Sequence, residues 1–206
     1  MSDHERLARA DPVMQGLVER LGELSVEARR QRRPRRDAYG ALLGSVISQQ
    51  LSTKAAATIH ARVVELFGGR TPAPAELLAV DPDRLRACGL SGRKVEYVRD
   101  LAAHVESGEL DLDRLARLAD EQVIAEISAV RGFGRWSAEM FLIFFLGRSD
   151  VLPVGDLGIR AAVKLAYGLE ELPDPEQLER IAEPWRPQRS LASIYLWASL
   201  DNAPAG

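Results

Sequence analysis

Apolar residues recur three and four apart along this chain, and no apolar–polar alternation runs long enough to build a sheet. That spacing confines the chain to an all-α fold. Tyr39, Leu42, Leu43, Val46 and Ile47 form one stripe. Ala55, Ile59, Val63 and Leu66 form a second, with Ser52 as its N-cap and "FGG" (Phe67–Gly69) as its stop. Short helices are predicted from Pro74 and from Asp81 or Pro82, the latter ended by Gly89. Further helices are predicted over Val95–Val105, over Glu121–Ser128 with Asp120 as cap, and over Arg135–Leu146. Leu157–Tyr167, Glu176–Ala182 and Ser190–Leu200 complete the set.

A chain of 206 residues can bury a good core as one domain or as two small lobes. Its longest apolar run, Met140–Leu146, is too short to span a bilayer, and "MSDHERLARADP" has no apolar signal core. The expected location is therefore cytoplasmic, with no membrane partner. Cys88 is the lone cysteine, which excludes an internal disulfide and a Cys-only metal cluster. His4, His60 and His104 have no metal-ligand spacing. A net charge of −3 argues mildly against nucleic acid, but "RRQRRPRR" puts six arginines between Arg29 and Arg36. A solvated linker and a phosphate-attracting arm both fit that run.

Between two of the predicted helices stands "AVRGFGRWSAEM" (Ala129–Met140), with Phe133 bracketed by Gly132 and Gly134. Glycine lacks Cβ, so its backbone can take positive φ and approach another molecule closely. The peptide N–H groups opening the helix from Arg135 lack intrahelical partners and suit an anion, phosphate above all. A grip of that kind carries no sequence preference. A tight turn between helices satisfies the same residues.

The wider context distinguishes these readings. "AVRGFGRWSAEM" followed by "DVLPVGDLGIR" (Asp150–Arg160) resembles the hairpin, loop and aspartate of the helix–hairpin–helix DNA glycosylase superfamily. "VISQQLSTKAA" (Val46–Ala56) is similar to that family's wedge-bearing helix junction, and "CGLSGRKVEYVRDLA" (Cys88–Ala102) to the segment after it. "AEPWRPQRSLASIYLW" (Ala182–Trp197) resembles the C-terminal signature of the alkylated-base branch, the 3-methyladenine DNA glycosylase II type. The resemblance covers most of the chain from about Val13.

What it implies is a monomeric enzyme of base excision repair that flips an alkylated purine from duplex DNA and hydrolyses its glycosidic bond. Extruding a nucleotide costs a few kcal/mol, and Leu51, beside Gln50, is the implied wedge filling the gap. Asp156 is the implied catalytic carboxylate, placed to stabilise positive charge on the sugar or to activate water. A helix cap at Leu157 is its other possible job, and one position can serve both. Asp150 is the rival, but it precedes Pro153 where the family's aspartate follows. Gly155 stands where relatives often carry a second acid.

Trp136 occupies the place of the nucleophilic lysine in strand-cutting members. An indole nitrogen has no available lone pair, so a single-function hydrolase is expected. Lys94 is the lysine to test as an exception. Trp136 and Trp197 match aromatic positions of the base pocket, with Met140 where relatives often have another aromatic. An indole face attracts a cationic base by about 2 kcal/mol, a factor of roughly 30. The charged base's own weak glycosidic bond must supply the remaining selectivity.

The resemblance further implies a two-lobed helical bundle with an interlobe cleft. Residues 36–147 form one lobe, and 1–35 with 148–206 the other. Arg131, Gly132, Phe133, Gly134 and Arg135 would make the phosphate-binding hairpin. The carbonyls of Ser128, Val130 and Phe133 match positions that hold a sodium or potassium ion in relatives; no other cofactor is implied. A non-catalytic DNA clamp and a glycosylase-lyase are the rival readings.

Overall fold

A computed structural model describes residues 1–31 and 37–201, which are helical and contain no strand. In chain order the helices are α1 (Asp3–Ala10), α2 (Pro12–Leu21), α3 (Val26–Gln31), α4 (Ala38–Ser48) and α5 (Thr53–Leu66). There follow α6 (Pro74–Ala79), α7 (Pro82–Ala87), α8 (Gly92–Glu106), α9 (Leu112–Leu115) and α10 (Asp120–Ser128). The last are α11 (Arg135–Phe141), α12 (Leu157–Tyr167), α13 (Pro175–Ala182) and α14 (Arg189–Asp201). None is long and apolar enough to cross a membrane among the described residues. Most of the Arg29–Arg36 run lies outside them.

The chain divides into two compact units, Arg35–Phe141 and Met1–Pro34 with Leu142–Gly206. The later boundary falls inside the apolar run Met140–Leu146, earlier than the Gly147 expected from the sequence. Its cause is local. The helix predicted from Arg135 to Leu146 stays α-helical only to Phe141, then winds as a π-helix over Leu142–Leu146. Wider winding rotates the side chains that follow. Gly147, at φ +71°, then ends the segment, and Arg148 N–H bonds back to the Leu142 carbonyl at 2.9 Å.

In the Arg35–Phe141 unit, α4 packs on α5, α8 and α11, while α6 and α7 pack on α8 and α10 on α11. Leu43, Ile47, Leu77, Val98, Leu101 and Ile127 are buried there. Side chains cap the helix starts: Asp37 accepts from Gly40 N–H at 2.7 Å, and Ser52 from Ala55 N–H at 3.3 Å. The expected Asp120 cap is corrected. Helix α10 already includes Asp120, and Gln122 reaches back to accept the Ala119 N–H at 3.0 Å. A glutamine three residues into a helix can satisfy that donor as well as an aspartate cap satisfies its own.

The other unit joins both ends of the chain. Helices α1 and α2 are too short to bury their apolar faces alone, and α2 and α12 both pack on α14. Met14, Ile159, Val163, Trp185 and Tyr195 lie in its core. Asp11 caps α2 through the N–H groups of Val13 and Met14. Its second oxygen accepts from Tyr167 Oη at 2.5 Å and Trp185 Nε1 at 3.1 Å, so this buried carboxylate is satisfied on both sides. These ties fix the end of α12 and the turn at Trp185 ahead of α14; α12 opens at Asp156 and α14 carries Trp197.

Candidate functional site

The turn joining α10 to α11 needs Gly132 for two reasons. Its φ is +88°, and a Cβ would lie 2.3 Å from Cδ2 of Tyr97 on α8. Gly134 differs: its φ is ordinary, and a Cβ there would meet nothing within 4 Å. The first glycine seats the hairpin, and the second leaves its backbone bare. Phe133 is buried between them.

Both hairpin arginines face carboxylates of their own unit. Arg135 donates to Glu121 at 2.6 and 3.0 Å and through Nε to Glu139 at 3.0 Å. Arg131 lies 3.7 Å from Glu96, and its backbone N–H donates to Asp100 at 2.8 Å. Their side chains therefore brace the hairpin, leaving an anion to meet backbone N–H groups.

Gln50 and Leu51 sit on the short loop between α4 and α5. Gln50 has φ +56°, the one positive φ of a non-glycine residue among the described residues, and Leu51 is 38% exposed. Left-handed backbone costs a non-glycine residue on the order of 1–3 kcal/mol, so neighbours must hold it. The side chain of Gln49 donates to the Gly132 carbonyl at 2.8 Å, tying loop to hairpin. Lys94 donates to the carbonyls of Ile47 and Gln49, each at 2.7 Å. Burial pushes its ammonium below the usual lysine value. On α11, Trp136 is 46% exposed, and Met140, one turn on, is half-buried.

In the other unit, Asp156 caps α12, its Oδ1 accepting the Ile159 N–H at 2.8 Å. Trp197 Nε1 donates to the same oxygen at 3.1 Å. The Trp197 ring stacks on Phe144 of the π-helical turn, with centroids 5.9 Å apart. Asp150, the rival carboxylate, is gripped by Arg186 at 2.6 Å and by Arg189 at 2.7 Å. Ser190 fastens the preceding loop, donating to the Arg148 carbonyl at 2.7 Å and accepting the Val151 N–H at 3.0 Å. The model of the HhH-GPD superfamily base excision DNA repair protein matches residues 43–187.

This chain belongs to the HhH-GPD superfamily.

As an HhH-GPD protein it is similar to the Schizosaccharomyces pombe 3-methyladenine DNA glycosylase Mag1, solved in complex with abasic DNA. The two are 31% identical with a TM-score of 0.85, and all of each chain is covered. A Bacillus halodurans DNA-3-methyladenine glycosidase is 35% identical at a TM-score of 0.85, covering 98% of this chain and 90% of that one. The Bacillus subtilis protein YfjP is 32% identical over 169 residues, and this HhH-GPD chain spans 59% of its length.

Within their own units, the structure brings together Asp156 with Trp197, and the Gln50–Leu51 loop with the hairpin. Sequence reasoning missed Gly158, where a Cβ would lie 3.0 Å from Asp156 Oδ1 and 3.4 Å from Trp197 Cδ1. A glycine in the first turn of an apolar helix was the available signal. It also missed Gln49, Phe144 and Tyr97, which no motif marks out. The donor chemistry at Ser128, Val130 and Phe133 fits a hard monovalent cation. Three neutral carbonyls are offered, Val130 spends one lone pair on the Phe133 N–H at 3.2 Å, and the Ser128 hydroxyl is buried with no hydrogen-bond partner.

Proposed function

We propose that this protein is a monofunctional DNA glycosylase that excises alkylated purines of the 3-methyladenine type from duplex DNA. The observation that carries the reading is the Asp156 carboxylate, aimed by the start of α12 and by Trp197. Similarity to the glycosylase Mag1 and to the B. halodurans glycosidase supports it.

Asp156 stabilises the positive charge that builds on the sugar as the bond from C1′ to the base nitrogen breaks. The electron pair of that bond leaves with the cationic base, which departs neutral. Water adds to C1′ and gives its proton to the carboxylate or to solvent, so the product is an abasic sugar. Leu51 and Gln50 fill the space the base vacates. Trp197, beside Asp156, offers an indole face to the charged base, and in their own unit Trp136 and Met140 of α11 are the residues for which the same role is proposed. Backbone N–H groups of the 131–135 hairpin other than those of Arg131 and Phe133, which are spent on Asp100 and Val130, hold phosphate, and a sodium or potassium ion held by the carbonyls of Ser128, Val130 and Phe133 would add positive charge there.

A hydrolase is favoured over a lyase because the ammonium of Lys94 is committed to two carbonyls and Trp136 cannot form a Schiff base. The test is incubation with methylated duplex DNA, scored for free base and for strand breaks before and after hot alkali. Free base with alkali-dependent breaks is expected. Breaks before alkali would mean a lyase, and no free base would leave only a DNA clamp.

A further inference from the structure

The loop between α4 and α5 is pinned from two sides. Helix α4 ends at Ser48; the Gln49 and Leu51 N–H groups turn back to the Val46 and Ser48 carbonyls, and the Ile47 carbonyl is met from α8. Lys94, in the first turn of α8, crosses to this end and donates to Ile47 and Gln49, while the Gln49 amide reaches Gly132. Directly between pinned Gln49 and exposed Leu51 stands Gln50 at φ +56°. Without its restraints, a loop holding a side chain in that conformation would relax to a commoner one.

We infer that Lys94 is a positioning residue for base extrusion. Its ammonium clamps the Ile47 and Gln49 carbonyls, so that the strained loop presents Gln50 and Leu51 already ordered. This rests on the proposed glycosylase activity and on Leu51 as the wedge. A loop ordered in advance spares the cost of ordering on DNA. That saving matters where a base must be unpaired and unstacked, and little where it is already unpaired. The two carbonyls it engages commit the ammonium as a structural charge rather than a nucleophile.

The experiment compares single-turnover release of one methylated purine from two duplexes, in which it lies opposite its normal partner or opposite an abasic analogue. Lys94→Met keeps the length of the side chain and removes the donors. The expected result is a loss of roughly ten-fold or more on the paired substrate, with little change on the unpaired one. Lys94→Arg should restore most of it. Gln49→Ala, which removes the second pin and leaves Lys94 in place, should show the same paired-selective loss and stands in if Lys94→Met does not fold. Equal losses on both duplexes, no loss, or a borohydride-trapped adduct through Lys94 would each overturn the inference. If the wild-type protein releases base from neither duplex, the glycosylase reading fails and takes the inference with it. Release by the wild type with non-selective variants sinks the inference alone.

Discussion

The indole N–H of Trp197 and the carboxylate of Asp156 meet at 3.1 Å, and the oxygen they share also caps α12 through the Ile159 N–H at 2.8 Å. One oxygen thus links the helix start to the helix bearing the aromatic ring. Two donors on one carboxylate oxygen fix its direction. Chemistry that needs a negative charge in a fixed place is served by this arrangement, and so is the stability of α12.

Substitution can separate those two jobs. Asparagine caps a helix about as well as aspartate, so Asp156→Asn should leave thermal stability nearly unchanged. Excision should fall by roughly 10²–10⁴, with DNA binding retained. Wild-type turnover by this variant, measured as free base released, would remove Asp156 from the mechanism. By contrast, Asp156→Ala should lose excision and about 1 kcal/mol of stability together.

Gly158 lets the ring and the carboxylate approach. In Gly158→Ala the new methyl would lie 3.0 Å from Asp156 Oδ1 and 3.4 Å from Trp197, with no positive φ to add strain. Either the carboxylate or the indole must move by a few tenths of an ångström. Excision should drop several-fold while the melting temperature changes little. If the rate holds at the wild-type level, the contact is slack and Gly158 has no part in the site.

How far the residues alone reveal this is uneven, for physical reasons. Helical spacing and caps such as Ser52 act over one or two turns, so most helices were legible. The π-helical turn after Phe141 was not, because its environment, including the stack of Phe144 on Trp197, lies far off in the chain. Motif order picks out Asp156, and the helix junction picks out Leu51, as candidates. Gly158 did not stand out and Lys94 stood out only as a lysine to test, since a missing Cβ or a long amine takes meaning only from what stands beside it. The two glycines of the hairpin looked alike in sequence and turn out to have different constraints.

An acid titration should expose a clamp at the start of α6. The Arg70 guanidinium, bonded to Glu76 at 2.7 Å, and the Ala73 N–H together hold the Glu76 carboxyl at about 2, below the ordinary 4.5. A carboxylate depressed in the folded state stabilises fully above its unfolded value, and the contribution drains away as pH falls from 4.5 towards 2. NMR titration of Glu76 should give a midpoint near 2 that rises with added salt, since the pair is exposed. An ordinary midpoint would show the clamp is open in solution.

Leu51 offers a test of wedge against core. At 38% exposed it is only partly covered, so Leu51→Ala should cost less than the ~2–5 kcal/mol of a fully buried leucine. Excision from fully paired methylated DNA should nevertheless fall markedly, and release of an unpaired base should not. A large drop in melting temperature would return Leu51 to the core.

The hairpin glycines should respond in opposite ways. Gly132→Ala forces a side chain into positive φ and into the Tyr97 ring at 2.3 Å, so the Arg35–Phe141 unit should lose stability by on the order of 1–3 kcal/mol or more. Gly134→Ala meets no neighbour and no strain, so the fold should persist. If phosphate rests against that bare backbone, the added methyl intrudes on it, and affinity for duplex DNA of any sequence should weaken. Fluorescence anisotropy with undamaged duplex reads this directly. Unaltered binding by Gly134→Ala, with the fold intact, would mean that the hairpin is a turn and nothing more.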